Sequence, residues 1–100
     1  MNDQKFYSFI GLIKKSGNLI SGYNNCICEI KRDKCKLVVI AEDASDNTKE
    51  KFLETCTIKN IPYIIHGCKE ELGSGIGKAP TSVLIIKDYN MSKVVRDMFK

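Results

Sequence analysis

The sequence has no tryptophan, two prolines and a single histidine among its 100 residues. No apolar run approaches the roughly 18 to 20 residues that a membrane-spanning helix requires. The first residues lack the basic and then apolar layout of a secretory signal peptide, and the last residues lack a lipidation motif. We therefore expect a cytoplasmic protein with no membrane partner.

The five cysteines fit neither a disulfide framework nor a zinc site. Their number is odd, and without a leader there is no oxidising compartment to pair them. The close pairs, Cys26-x-Cys28 and His66-x-Cys68, lack zinc-ligand spacing, since helical residues two apart point about 200° from each other. We expect reduced thiols that act as small apolar side chains, with a metal or redox site as the open alternative. No metal and no cofactor is assigned.

The composition is typical of one globular domain. Hydrophobic residues make up 43% and charged residues 28% of a chain that is long enough to bury one core but not two. Sixteen Lys and Arg against twelve Asp and Glu give a net charge of +4. The whole excess lies in residues 1–36, with seven bases and three acids, because residues 37–100 hold nine of each. This distribution makes a polyanionic partner worth testing.

Hydrophobic periodicity predicts helices that alternate with short strands. The run from Leu37 to Ala41 is continuously apolar, which is typical of a central strand covered on both faces. Ser45 is a candidate N-cap for a helix that ends before Pro62. The other predicted helices are 3–15, 24–33, 68–75 and 91–98, and the other strands are 19–20, 63–65 and 83–86. We expect the helices after residue 45 to bury Phe52, Leu53, Cys56, Leu72, Met91, Val94, Val95 and Met98.

This alternation predicts one α/β domain over residues 1–100. Its expected architecture is a mixed, mostly parallel sheet of four strands, sandwiched between helices in three αβα layers. The sequence contains no internal repeat, no low-complexity tract and no linker.

A glycine cluster over residues 73–78 resembles a phosphate loop, but its spacing differs. A Walker A loop has four residues between its glycines and a Ser or Thr after its lysine. Here three residues separate Gly73 from Gly77, and Ala79 follows Lys78. Close backbone packing or a flexible loop is favoured, and contact with a ligand's backbone stays open as the alternative.

Groups suited to catalysis are scarce. No nucleophile elbow is present, and His66 ends a predicted strand beside Gly67, where a structural role is favoured over a general base. Glu42 and Asp43 follow the central strand, a common place for active sites in α/β sheets. They continue, however, into an ordinary strand-to-helix turn. We predict no catalytic residue and no enzymatic activity.

The turn at Ser21 to Asn25 is a candidate binding site. A helix N-terminus offers unpaired backbone N–H groups and a positive dipole end, which suit an anion. The side chains of Asn24 and Asn25 carry both a donor and an acceptor, so they can read base edges. Basic residues flank the turn: Lys14, Lys15, Lys31, Arg32, Lys34 and Lys36. An N-capped surface helix with a solvated charged end explains these residues equally well.

The chain resembles the small RNA-binding ribosomal proteins of the L-seven-Ae and L-thirty-e family, and among them the bacterial YlxQ type. Gly22-Tyr23-Asn24-Asn25-x-x-Cys28 stands where the family has Gly-x-Asn-Glu-x-x-Lys. Residues 34–45 follow the family's second strand and turn, and the resemblance continues through Ile61-Pro62, Leu72-Gly73-x-x-x-Gly77 and Ser82-Val83. Covering nearly the whole chain, it implies an L-thirty-e-like αβα sandwich.

The resemblance also implies a binding mode for a kink-turn, a sharp RNA bend built on tandem sheared G·A pairs. Gly22 would allow close approach of the RNA backbone, and Asn24 would hydrogen-bond a guanine edge. Asn25 replaces the family's Glu, and Cys28 replaces its Lys. A loop after the glycine-rich helix would cover a splayed-out base, here formed by Lys78, Ala79, Pro80 and Thr81.

We therefore expect a non-enzymatic, ribosome-associated protein that binds structured RNA, not DNA, as a monomer. Its basic flank would contact phosphates. The alternative is a protein-interaction adaptor on the same fold whose RNA site has decayed. The replacements at Asn25 and Cys28 are the features that favour the adaptor.

Overall fold

A computed structural model describes residues 3–100, so Met1 and Asn2 of the expected domain lie outside the described residues. Within residues 3–100, five helices alternate with four strands, as the periodicity predicts. The elements are α1 (Asp3–Lys15), β1 (Leu19–Ser21), α2 (Tyr23–Lys31), β2 (Leu37–Ile40), α3 (Asp46–Lys59), β3 (Tyr63–Ile65), α4 (Lys69–Gly75), β4 (Val83–Ile86) and α5 (Tyr89–Asp97). Ser45 caps α3 as predicted, since its hydroxyl accepts a 3.1 Å hydrogen bond from the Thr48 amide.

The four strands form one mixed sheet in the order β1-β4-β2-β3. Only β2 and β3 pair in parallel, whereas β4 is antiparallel to both β1 and β2. The expectation of a mostly parallel sheet is therefore wrong. The apolar runs of β2 and β4 report burial on both faces, but burial carries no information about strand direction.

Helices cover both faces of the sheet and complete the three αβα layers. On one face α1 contacts α4 and α5, and on the other the Tyr23 ring of α2 meets the Phe52 ring of α3. Every residue of the two inner strands is buried. The core between the layers includes Phe6, Ile10, Ile13, Leu19, Cys26, Ile30, Cys56, Leu72 and Val95.

The predicted burial is wrong at one position of α5 and incomplete at others. Val94 is 46% exposed, whereas α5 buries Val95, as predicted, and also Ser92, which was not predicted. Residues 94 and 95 lie 100° apart around a helix, so only one of them can centre on the sheet. The side chains of Leu53, Met91 and Met98 are half-buried at the margin of the core.

The path of α2 determines where the polar residues lie. Since β4 is antiparallel to both β1 and β2, these two strands stop at the same end of the sheet. The helix α2 connects the end of β1 to the start of β2, and so crosses the sheet from end to end. Its nine residues span about 13 Å at 1.5 Å each. We name the end with the turn at Gly22 the Gly22 end, and the opposite end the Lys36 end.

Candidate nucleic-acid interface

The turn at Gly22 has a backbone conformation that essentially only glycine adopts. Its φ is 95° and its ψ is 148°, a region where a Cβ is strained. The Gly22 amide donates to the Val83 carbonyl at 3.1 Å, and its own carbonyl accepts from the Cys26 amide at 3.0 Å. Among residues 3–100, no side chain caps the helix that follows. The first amides of α2 therefore face outward at the positive end of its dipole.

Packing beneath the turn holds the first turn of α2 in place. The Tyr23 and Phe52 rings meet edge to face, with centroids 5.3 Å apart. Cys26 is buried, and its thiol lies 3.5 Å from the Ile20 carbonyl oxygen. This packing therefore holds the exposed amides of the turn in place.

Asn24 and Asn25 present their side chains to solvent beside the uncapped amides. The Asn25 side-chain amide donates to the Ser21 carbonyl at 3.3 Å, which leaves its side-chain oxygen free to accept. Within the described part of the chain, the Asn24 side chain makes no hydrogen bond. The Asn24 side-chain amide is thus wholly available to a ligand.

A shallow depression of about 200 Å³ adjoins the turn and joins three separate segments of the chain. Lys14 reaches it from α1, Lys78 from the loop after α4, and Asn25 and Cys28 from α2. Neither lysine forms an ion pair with any residue of the described range 3–100. The depression is therefore lined by two cations with free charge.

Glu29 also lines this depression and was missed from the sequence. Its carboxylate lies 3.5 Å from Arg32 and 3.8 Å from Lys87. The spacing of three residues between Glu29 and Arg32 was the available signal, but the approach of Lys87 depends on the tertiary fold. These two partners offset the one acidic group at the depression.

The loop over residues 76–82 is held against α4 by close backbone packing. The Lys78 amide donates to the Gly73 carbonyl at 2.8 Å, and the Thr81 amide donates to the Lys69 carbonyl at 3.1 Å. A Cβ at Gly73 would overlap the carbonyl oxygen of Ala79. Close backbone packing, one of the two explanations given for the glycine cluster, therefore holds at Gly73 but not at Gly77, where an added Cβ would meet nothing within 4 Å.

We expect Gly73→Ala to lower the free energy of unfolding by about 1–3 kcal/mol, the usual cost of overpacking. The added methyl group would meet the backbone of Ala79 and Pro80, neither of which is a flexible side-chain end. The matched control is Ser74→Ala on the exposed face of the same helix, with an expected change within about 0.5 kcal/mol. Thermal unfolding measures both, and equal Tm values would contradict this account of the loop.

The predicted loop residues divide into an exposed and a buried set. Lys78, Ala79 and Pro80 are exposed. Thr81 is buried, and its hydroxyl donates to the Val83 carbonyl at 3.1 Å. The structure therefore places Thr81 beneath the loop, away from any surface that could face RNA.

The predicted basic flank does not gather at the turn. Lys14 lines the depression at the turn, and the exposed Lys15 follows it at the end of α1. The remaining four residues lie at or beyond the last turn of α2, toward the Lys36 end: Lys31, Arg32, Lys34 and Lys36. Closeness in sequence suggested one basic surface, but of these six bases only Lys14 lines the depression at the turn.

Two of the three groups considered for catalysis, His66 and Asp43, have structural partners. His66 Nε2 lies 3.0 Å from an Asp3 carboxylate oxygen, and the His66 ring packs edge-on against Phe6 and Phe99. Asp43 accepts a 2.9 Å hydrogen bond from the Lys69 amide at the start of α4. These contacts agree with a structural histidine and an ordinary turn.

Three of the cysteines are core side chains, as expected for apolar thiols. Cys26, Cys35 and Cys56 are buried, whereas Cys28 is exposed. Burial raises the pKa of Cys35 to about 12 and that of Cys56 to about 11. Within residues 3–100, no three His, Cys, Asp or Glu side chains are grouped so that they could hold a metal ion. In the same range, no helix has the length and apolar character needed to cross a membrane.

Residues 4–96 match the sequence model of the ribosomal protein L7Ae/L30e/S12e/Gadd45 family. The chain belongs to this family. It is 33% identical to the RNA-binding protein YlxQ of Enterococcus faecium over 99% of this chain and 95% of that protein. It is 34% identical to the large ribosomal subunit protein eL8 of Thermoplasma volcanium over 90% of this chain and 75% of that protein. The resemblance seen in the sequence is thus confirmed.

Solved structures of similar proteins support the same family fold. A protein of unknown function from Bacillus halodurans C superposes with a TM-score of 0.90 at 29% identity, covering 94% of this chain and 95% of that one. The Giardia lamblia 15.5kD RNA binding protein superposes with a TM-score of 0.79 at 25% identity, covering 96% and 82%. The expected L-thirty-e-like αβα sandwich with a four-stranded mixed sheet is confirmed.

Proposed function

We propose that this protein binds structured RNA of the kink-turn class, with the turn at Gly22 as its main contact. The observation that carries the proposal is the free Asn24 side chain beside an uncapped helix N-terminus. Lys14 and Lys78 line the adjoining depression together with Asn25, and neither forms an ion pair within residues 3–100. Such a surface offers base-edge contacts and phosphate contacts side by side.

In the proposed complex, each group has a distinct role. Asn24 hydrogen-bonds the edge of a guanine in a sheared G·A pair. The outward amides of α2 and the two lysines contact phosphates, which fixes the register of the RNA. Ala79 and Pro80, exposed on the 76–82 loop, cover a splayed-out base. Recognition of the bend depends on RNA shape more than on a linear sequence.

The relatives support RNA over other partners. YlxQ and the 15.5kD protein are named as RNA-binding, and eL8 is a ribosomal subunit protein. We therefore extend the proposal to a ribosome-associated, cytoplasmic and non-catalytic role, with the protein acting as a monomer on RNA and not on DNA.

A gel shift tests this proposal against its alternatives. The purified protein is titrated into a kink-turn RNA and into a variant with disrupted G·A pairs, at several salt concentrations. We expect tighter binding to the intact kink-turn. Equal binding to both RNAs with a steep salt dependence would indicate non-specific phosphate contact only. Failure to bind either RNA at low salt would overturn the proposal and favour the protein-interaction adaptor.

Asn24→Ala is expected to weaken kink-turn binding by about 1–3 kcal/mol, the usual value of a good base contact. Binding to the G·A-disrupted RNA should change little, because no charge is removed. The matched control is Asn90→Ala, which removes an exposed amide from the first turn of α5. If both variants keep the parental affinity for the kink-turn, Asn24 does not contact the guanine.

A further inference from the structure

A second polar groove lies at the Lys36 end, across the sheet from the turn at Gly22. It has a volume of about 280 Å³. Lys36 enters it from the start of β2, Lys59 from the end of α3, and Tyr89 and Arg96 from α5. We name it the Tyr89 groove; the proposed kink-turn contact does not account for it, and of its lining residues the predicted site included only Lys36.

The Tyr89 groove carries an excess of positive charge. Asp33 is its one acidic residue among the described lining residues, and Lys59 Nζ lies 2.8 Å from the Asp33 carboxylate. That hydrogen bond, followed by the lysine charge, lowers the pKa of Asp33. Lys36 and Arg96 form no ion pair within residues 3–100. Two cations therefore remain free to bind an anion.

An exposed aromatic ring stands beside these cations. Tyr89 is 59% exposed although it is a large aromatic residue. Two hydrogen bonds order the first turn of its helix, α5. The Asp88 carboxylate accepts from the Met91 amide at 2.8 Å, and the Ser92 hydroxyl donates to the Tyr89 carbonyl at 2.7 Å. An exposed ring on an ordered backbone, next to unpaired cations, is the combination with which proteins bind single-stranded nucleic acid, by base stacking and phosphate contact.

The distribution of acids gives an RNA a preferred direction across the molecule. The Gly22 end carries an acidic surface on the far side from α2, with Glu42, Asp43, Glu70 and Glu71. Burial, followed by the charges of Glu71 and Asp3, raises the pKa of Tyr7 at this surface to about 12. A polyanion held at Asn24 is therefore repelled by these acids, although Lys78 lines a pocket together with Glu70 and Glu71 and offsets part of their charge. The polyanion gains phosphate contacts by extending along α2 toward the Lys36 end.

We propose that the Tyr89 groove binds an unpaired RNA strand, whose base stacks on Tyr89 while Lys36 and Arg96 contact its phosphates. This inference rests on the proposed RNA-binding function and adds a second surface to it. The structured RNA would lie at the Gly22 end, and a single-stranded segment would lie at the Lys36 end. The groove thereby gives a role to Lys36, a basic residue that α2 separates from the turn at Gly22.

Fluorescence anisotropy with an oligouridylate strand tests the stacking. Tyr89→Leu should weaken binding at least about fivefold, since stacking on an aromatic ring contributes on the order of 1–3 kcal/mol per base. Tyr89→Phe keeps the ring and should bind as the parent does. Because Tyr89 is exposed, both variants should retain the parental thermal unfolding curve. Equal oligouridylate affinity of Tyr89→Leu and the parent would overturn the inference.

The salt dependence tests the phosphate contacts. Replacing both Lys36 and Arg96 with Gln should reduce the slope of log affinity against log salt by about 1.4, or about 0.7 per lost contact to a single strand. The control replaces Lys51 and Lys69 with Gln, which removes the same charge from exposed positions outside the groove. Equal slope changes in both pairs would overturn the inference.

The kink-turn RNA separates this inference from the proposed function. Asn24→Ala should lose kink-turn affinity and keep oligouridylate affinity. Tyr89→Leu should lose oligouridylate affinity and keep kink-turn affinity. If Asn24→Ala loses oligouridylate binding, the strand binds at the turn. That result would overturn the proposal for the Tyr89 groove and leave the proposed function standing. Failure of the parent to bind either RNA would overturn both proposals.

Discussion

Replacing Phe52 with alanine is expected to lower the free energy of unfolding by about 3–5 kcal/mol, the usual cost of truncating a buried phenylalanine. Phe52 is fully buried in α3, where its ring contacts the Tyr23 ring of α2. A domain of this size has about 5–15 kcal/mol of stability in total, so the loss would be large. Urea unfolding followed by circular dichroism measures it.

The same substitution should also weaken kink-turn binding at temperatures where the variant is still folded. Tyr23 is the first residue of α2 and precedes Asn24, so a gap at Phe52 frees the turn that presents the amide. Phe52→Leu fills most of the volume of the phenylalanine side chain but removes the edge-to-face contact with Tyr23. Because such a contact contributes about 0.5–1.5 kcal/mol beyond the buried area, this variant should lose less stability than Phe52→Ala. Ile58→Ala, on the same helix and 73% exposed, should change stability by less than about 0.5 kcal/mol. Equal unfolding midpoints for Phe52→Ala and Ile58→Ala would contradict the packing described here.

The order of the elements could be predicted from the sequence, because burial leaves a periodic pattern. The spacing of Phe6, Ile10 and Ile13 marks the buried face of α1, and the run after Leu37 marks an inner strand. Strand direction could not be predicted. Strand direction depends on which strands pair in the sheet. Here β4, which is far from β1 and β2 in sequence, inserts between them. No local pattern in Val83 to Ile86 records that pairing.

The composition of the candidate site was only partly predictable. The positive φ at Gly22 and the exposed amides of Asn24 and Asn25 follow from a local turn, so the sequence indicates them. Counting charges along the sequence grouped Lys36 with this turn. In the structure, α2 lies between them and carries Lys36 to the opposite end of the sheet. The approach of Lys78 depends on how the 76–82 loop folds back on α4, which is tertiary packing. Of the basic residues in the first third, Lys14 therefore lines the depression at the turn and Lys36 lines the Tyr89 groove.

Restoring the family residues with Asn25→Glu and Cys28→Lys is expected to tighten kink-turn binding by about 2–3 kcal/mol, or roughly 30- to 150-fold. Hydrogen bonds to charged groups contribute about 1.5–3 kcal/mol, against about 1 kcal/mol for neutral pairs. Both positions already line the depression with Lys14 and Lys78. The first turn of α2 holds no acid, so a glutamate there is also compatible with the helix dipole.

The design isolates recognition from electrostatics, because one acid and one base are added and the net charge is unchanged. Affinity for the G·A-disrupted RNA, which depends on phosphate contact, should therefore stay close to that of the parent. The swapped variant, Asn25→Lys with Cys28→Glu, keeps the same composition and the spacing of three residues on α2. It should gain nothing on the kink-turn, since it places a cation where the guanine N–H groups need an acceptor. An equal gain by the restored variant on both RNAs, or none on either, would mean that this surface does not bind the kink-turn.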